Sequence, residues 1–233
     1  MANSSDSLDL YAKVEDLLGV KEAAPVLYAH YLLFLNSINF DILLDVGCGS
    51  GDFLRQMQGA LGIPHVKGID LSPVMVTQTK AQGIDAECID LCMLDNSYDV
   101  ITAVFDMLNY LDKAALKNFL KCVYEHLNEG GYFLCDINTL YGFEEVAVGS
   151  FIVDDERRFL TIDSEFDEGR YTSDFTLFEK EGECFRKYQE TIRQYYHTLE
   201  EIVALSSLEL VQYDEVVLYE MEQADKIFMV LKK

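Results

Sequence analysis

The stretch that decides the fold is residues 42–51, ILLDVGCGSG. A short apolar run ends at Val46, and a glycine-rich turn follows, Gly47-Cys48-Gly49-Ser50-Gly51. A helical pattern then resumes over 52–59, with Phe53, Leu54 and Met57 on its apolar face. Glycines after a strand allow a tight turn and let a ligand approach the backbone closely. The helix that follows opens with free N–H groups. The spacing is GxGxG, and Asp52 stands where the dinucleotide fingerprint GxGxxG has its third glycine. Asp45 and Asp52 flank the turn and would repel a pyrophosphate. A cationic ligand without pyrophosphate fits better.

Outward from the turn, strand and helix alternate. Residues 41–46, 65–71, 86–89, 98–105 and 132–137 read as strands. Ser72-Pro73 opens a helix to about Gln82, with serine as N-cap and proline at N1. Gly83 ends that helix. Another helix covers 113–127. Helices between nearly continuous apolar strands predict right-handed crossovers and a mostly parallel sheet covered on both faces. Upstream, 1–8 reads as a frayed polar tail and 9–38 as helices divided at Gly19.

After Thr139 the pattern changes. Alternating runs such as RRFLTIDSEF and YTSDFTLFEK, with turns at Glu168-Gly169 and Glu181-Gly182, predict an antiparallel meander. Thr198 and Glu201 form a capping box for a helix to Ser206. Residues 211–219 and 226–231 read as closing strands. The expected division is 1–139 for N-terminal helices and ligand-binding core, 140–196 for an antiparallel β insert acting as a lid, and 197–233 for the return to the core. The fold class is therefore α/β, Rossmann-like, with an antiparallel last strand.

Asp70 closes the second strand, 19 residues after Gly51. A carboxylate there can accept two hydrogen bonds from ribose hydroxyls. Leu71 can pack on an adenine ring. Asp90 can receive the adenine amino group, with Ile89 and Leu91 bracketing the ring, or serve as an ordinary exposed aspartate.

Four elements, LDVGCGSG at 44–51, Asp70 in GIDLS, Asp90, and YDVITAVFDMLNYL at 98–111, agree in order and distance. Together they resemble the class I S-adenosylmethionine-dependent methyltransferases over about residues 38–138, and more loosely over 198–233. The resemblance implies S-adenosyl-L-methionine as cofactor. It implies that the loop of Asp45, Gly47, Cys48, Gly49 and Gly51 contacts the methionine part and that Asp70 holds the ribose. The insert is similar to those of small-molecule N-methyltransferases.

Ligands on open α/β sheets bind beyond the carboxyl ends of the strands. Phe105, Asp106, Asn109 and Tyr110 should therefore line the methyl-transfer site. Phe105 can offer a ring face to the cation. Asp106 can bind the cofactor or orient a substrate amine. Asn109 and Tyr110 can instead cap the next segment and fill the core. Asp136 and Asn138 share this rim. Tyr11, Tyr28, Tyr31, Tyr141, Tyr171, Tyr195 and Tyr196 are candidates for a cap over the cofactor, or for packing between insert and core. Arg193, and less so Arg170, can hold a substrate carboxylate. Of the four histidines, His30 and His197 are the better placed as bases, but transfer from a sulfonium chiefly needs alignment and exclusion of water.

Composition narrows the acceptor. The 233 residues carry 41 acidic and 18 basic side chains, a formal charge of −23, with 50% hydrophobic residues. The chain is long enough for a large core and too apolar for disorder. Its basic doublets are isolated, which disfavours nucleic acid and anionic membrane surfaces. None of the six cysteines forms a CxxC pair, and all are expected as reduced thiols, mostly buried, with no metal site. The N-terminal MANSSDSLDL lacks a basic start and an apolar run, so a cytoplasmic location without a secretory leader is expected.

The expected activity is methyl transfer to an amine or hydroxyl of a small molecule by direct displacement, in a monomer or homodimer. The rivals are a methyltransferase of protein or tRNA, a cofactor-binding protein without chemistry, and a nicotinamide-dependent oxidoreductase. The absence of an NPPY- or DPPY-type tetrad, with Phe105-Asp106-Met107-Leu108 in its place, weighs against base methylation.

Overall fold

The computed structural model describes residues 5–219 and 222–233. A seven-stranded sheet has the order β10-β11-β5-β4-β1-β2-β3, and a separate four-stranded sheet has the order β6-β7-β8-β9. The first sheet contains β1 (Ile42–Val46), β2 (His65–Asp70), β3 (Asp85–Cys88), β4 (Tyr98–Ala103), β5 (Leu127–Asn138), β10 (Glu209–Val216) and β11 (Lys226–Lys232). Strands β1 to β5 pair in parallel, and β11 is antiparallel to both β5 and β10. The order reverses beside β1, so the glycine turn opens at the switch point where such sheets hold ligands.

Helix α1 (Ser5–Val14) begins inside the stretch read as a frayed tail, of which residues 1–4 lie outside the described ones. Helix α2 (Val20–Leu35) follows Gly19, which sits at φ 70° as the expected break. Helices α3 (Asp52–Leu61), α4 (Pro73–Ala81) and α5 (Lys113–His126) link the parallel strands. The Ser72 hydroxyl accepts from Met75 N, and Asp112 caps α5 by accepting from Ala114 N and Ala115 N. Strand β5 starts at Leu127, five residues before its expected start. Tyr98 pairs with Leu127 across a register shift that absorbs the glycine pair 130–131.

The insert forms β6 (Gly149–Asp154), β7 (Arg158–Asp167), β8 (Arg170–Glu181) and β9 (Cys184–Tyr195). Its apolar face, Leu160, Ile162, Phe175, Leu177 and Ile192, packs on Leu10 and Val14 of α1. Arg158 adds a two-pronged ion pair to Asp16 at 2.9 and 2.7 Å. Asp9 of α1 accepts from the Ser72 hydroxyl at 2.6 Å. Helix α1 thus touches both the insert and the start of α4. Helix α6 (Leu199–Leu205) carries the expected cap, Thr198 accepting from Glu201 N.

The cysteine expectation needs correction. Cys92, on the turn after β3, and Cys122, on the face of α5 packed against it, have Cα atoms 5.2 Å apart and form a disulfide. Cys48 and Cys135 are buried thiols, whereas Cys88 and Cys184 are exposed.

Replacing Asp112 by Ala removes the acceptor for two N–H groups and should cost about 1 kcal/mol of stability. Urea unfolding monitored by circular dichroism measures this. An unchanged midpoint would show that the cap contributes nothing.

Candidate functional site

A cavity of about 530 Å³ lies over the carboxyl ends of β1, β2 and β4. Asp45, Gly47, Cys48, Gly49, Asp70, Leu71, Asp90, Leu91, Phe105, Tyr110 and Tyr11 all line it. So do Ile89, Met75, Met107, Tyr28 and Glu15.

The glycines divide by role. Gly49 sits at φ 53°, and a Cβ there would meet nothing within 4 Å. Its bare backbone therefore leaves open space beside the cavity, as a cradle for a ligand requires. Gly51 is different. It does not line the cavity, and a Cβ would strike Thr79 at 2.8 Å, so it permits loop–helix packing rather than ligand contact.

Asp70 accepts from Gly49 N at 3.0 Å through one oxygen and from Ser72 N at 2.8 Å through the other. It thus fixes the glycine turn against β2, and each oxygen keeps a further lone pair for a hydroxyl. Burial pushes its pKa up against those hydrogen bonds. Asp90 accepts from Cys92 N at 2.8 Å, leaving its second oxygen for an amino group. Asp45 is buried at the end of β1, with Thr102 Oγ1 donating at 2.6 Å. Burial, reinforced by the charges of Asp70 and Asp136, pushes its pKa up to about 8. A cation beside it would restore the ionised form.

The rim beyond β4 is built around Asp136. Phe105 and Asp106 both adopt left-handed backbone, φ 57° and 51°. This conformation is costly for non-glycine residues, above all a bulky aromatic one. Asp136 accepts from Phe105 N and Asp106 N, both at 2.8 Å, and from Tyr31 Oη at 2.7 Å. Burial raises its pKa, while nearby Lys226 opposes the rise. Lys226 Nζ donates to Asp106 and to Asn138 Oδ1 and lies 3.6 Å from Asp136. Burial alone would lower the Lys226 pKa, but the two carboxylates overcome it and hold the ammonium charged. Gln194 of β9 donates to the other Asp106 oxygen. Asp106 therefore joins the core to the insert. It is absent from the cavity wall, and Phe105 and Met107 on either side form that wall.

Three expected catalytic positions need comment. Asn109 is fully buried and spans two backbones, donating to Tyr195 O at 2.8 Å and accepting from Asn138 N at 3.0 Å. It ties the end of the insert to β5 rather than reaching the cavity. Arg193 lies on the strand face opposite to Ile192 and Gln194, and neither it nor Arg170 lines the cavity. Tyr110 does line it, and burial holds its phenol well above the usual range. Of the seven capping tyrosines, Tyr11 and Tyr28 line the cavity. Tyr31 supports Asp136 from below, and Tyr171 and Tyr196 pack around Phe143 in the insert. His197 is buried against Leu111 O and Glu201, and His30 lies beside Asp214. No histidine is among the described residues lining the cavity.

Glu15, Lys226 and Gln194 are not among the site residues that the sequence singles out. A lone lysine opening the apolar run KIFMVL is a faint signal for a buried cation. Glu15 and Gln194 carry none.

The sheet order, the glycine turn and the carboxylate after β2 define a class I S-adenosylmethionine-dependent methyltransferase fold. Residues 43–131 match the methyltransferase domain family. A Geobacillus sp. (strain WCH70) protein with a provisional methyltransferase name is 30% identical over 115 residues, 45% of each chain. The malonyl-[acyl-carrier protein] O-methyltransferase of Bacillus cereus is 23% identical over 72% of this chain and 66% of its own length. The chain thus spans less than two thirds of either relative. Among solved structures, an S-adenosylmethionine-dependent methyltransferase from Clostridium acetobutylicum aligns with a TM-score of 0.76 and 24% identity, covering 96% of this chain and 98% of that one. An amino pentose methyltransferase from Micromonospora echinaspora, solved with S-adenosylmethionine bound, aligns with a TM-score of 0.67 and 22% identity over 91% of both chains.

Because the Asp45 pKa is raised on folding, its contribution to stability is complete below the unfolded value near 4 and is lost as pH rises through about 8. Asp45→Asn should flatten that decline in ligand-free protein, as read by urea unfolding at pH 5, 7 and 8.5. An identical pH dependence in variant and parent would contradict the assignment.

Proposed function

We propose that the protein transfers the methyl group of S-adenosyl-L-methionine to an amino group of a small molecule, with an amino sugar as the best-fitting acceptor. The cavity's residues suit this cofactor. Asp70 has lone pairs for the ribose hydroxyls, and Asp90 with Ile89, Leu71 and Leu91 suits an adenine. Gly49 leaves backbone exposed for the methionine part, and Asp45 answers its positive charge. When bound, the cofactor supplies an electrophilic methyl carbon on a positively charged sulfur.

The observation that carries the amine reading is the wall around Phe105. Phe105, Tyr11, Tyr28 and Tyr110 offer ring faces and phenols to a cation, and no histidine base stands among them. An ammonium can lose its proton before the transfer step and the amine then brings its own lone pair, whereas a hydroxyl acceptor needs a proton removed as it reacts. The protein's part is to hold the nitrogen in line with the methyl carbon and exclude water. Helix α1, pinned beneath the insert, supplies that cover. The likeness to an amino pentose methyltransferase supports the same acceptor class. A malonyl carboxylate, as the Bacillus cereus relative's name describes, would enter an already acidic cavity.

The direct test incubates the protein with S-adenosyl-L-methionine and a panel of amino sugars, their hydroxyl counterparts and malonyl thioesters, with mass spectrometry of the products. A gain of one methyl on nitrogen is expected. Transfer only to oxygen would contradict the reading. Asp70→Ala should weaken binding of S-adenosyl-L-homocysteine at least about tenfold, the equivalent of a lost charge-assisted pair of hydrogen bonds. Unchanged affinity in calorimetry would remove Asp70 from the ribose site.

A further inference from the structure

The charge around the cavity carries information about the acceptor beyond its amino group. The carboxylates in the wall are Glu15, Asp45, Asp52, Asp70 and Asp90, against the cations Lys21 and Arg55. Arg55 is engaged by Gln82 at 2.7 Å and by Asp52 at 3.3 Å. The lid repeats the imbalance, since residues 140–196 carry 14 acidic and 7 basic side chains. Arg158, its most firmly held cation, is committed to Asp16 and Asp155. Lys226, nearest the transfer site, is buried between Asp106 and Asp136.

Glu15 occupies the short turn between α1 and α2, in the same wall as Tyr11, Tyr28 and Tyr110. It lies close enough to raise the pKa of all three phenols. Burial, together with Asp52, Asp16 and Asp70, raises its own pKa against the pull of Lys21. Three neighbouring acids and three aromatic rings around one carboxylate make a poor environment for an anion and a favourable one for a cation.

We propose that the acceptor is a free cationic amine carrying no phosphate, and that Glu15 is one of the side chains that receives its charge. The proposal rests on the amine-methyltransferase reading and narrows it. A nucleotide-linked sugar would bring a diphosphate to a wall where Lys21 is the one cation without a hydrogen-bonded acid, among the described residues. Phosphate recognition normally supplies several Lys or Arg side chains or a helix N-terminus clear of acids. Here the N-terminus of α3 opens with Asp52. An ammonium is instead drawn in by the field of the whole chain.

For reaction, the ammonium first gives one proton to a carboxylate or to water. The freed nitrogen pair then forms the bond to the methyl carbon. The carbon–sulfur bond breaks, its electron pair stays on sulfur, and the methylated nitrogen carries the positive charge.

The experiment uses the full chain saturated with S-adenosyl-L-homocysteine. It is titrated calorimetrically with 3-amino-3-deoxyglucose and with the thymidine-diphosphate ester of the same sugar. The free amine should bind at least about tenfold more tightly, and its affinity should fall as salt rises from about 0.05 to about 0.3 M. Glu15→Gln, checked for folding by its thermal transition, should weaken the free amine about fivefold or more. Glu15→Asp should recover part of the loss. Tighter or equal binding of the nucleotide ester, binding of neither probe, or an unchanged Glu15→Gln affinity would each overturn the proposal. The underlying reading fails separately, if the free amine binds as expected and yet no methyl reaches its nitrogen.

Discussion

The carboxylate of Asp136 is the constraint on which the site depends. It accepts from the successive N–H groups of Phe105 and Asp106 and so stabilises two left-handed residues in a row. Such strain costs on the order of 1–3 kcal/mol per residue and persists where the surroundings over-determine it. Here they do. Tyr31 donates to the same carboxylate from α2, and Lys226 balances it from β11. The turn swings the Phe105 ring into the cavity and directs Asp106 toward Lys226 and Gln194. One buried acid at the end of β5 thereby connects α2, the turn after β4, β11 and, through Asp106, the insert.

The electrostatics follow from the same design. The core carboxylates Asp45, Asp70 and Asp136 are all pushed toward protonation by burial. Lys226, 3.6 Å away, offsets Asp136, while among the described residues Asp45 has the Thr102 hydroxyl as its hydrogen-bond donor. The unbalanced charge therefore sits under the glycine turn. A cationic cofactor would relieve it there, and the proposed cationic acceptor would do the same for Glu15 in the same cavity wall.

Much of this was legible in the chain, for local reasons. The strand–turn–helix at 42–61 and the acid closing β2 depend on neighbours in sequence, as do the caps at Ser72 and Thr198. The insert's alternation marked its strands to within about two residues. Contacts between distant segments were not legible. Gly51 looks like its two neighbouring glycines until Thr79 is placed against it. Asn109 sits in the right loop but turns its amide to Tyr195 and Asn138. Arg193 stands one residue from Gln194, and a strand's period of two sends it to the other face. The Cys92–Cys122 bond joins a turn to a helix 30 residues on, with no spacing to announce it. Lys226 reveals its role only beside Asp106, 120 residues away.

The central claim is that Asp70 and the Phe105–Asp106 turn mark the two ends of one cofactor's path through the cavity. A crystal structure with S-adenosyl-L-homocysteine tests it most directly. The account predicts the ribose hydroxyls on Asp70 and the sulfur facing the Phe105 ring. A ribose bound elsewhere, or a sulfur turned away from Phe105 toward α3, would contradict it.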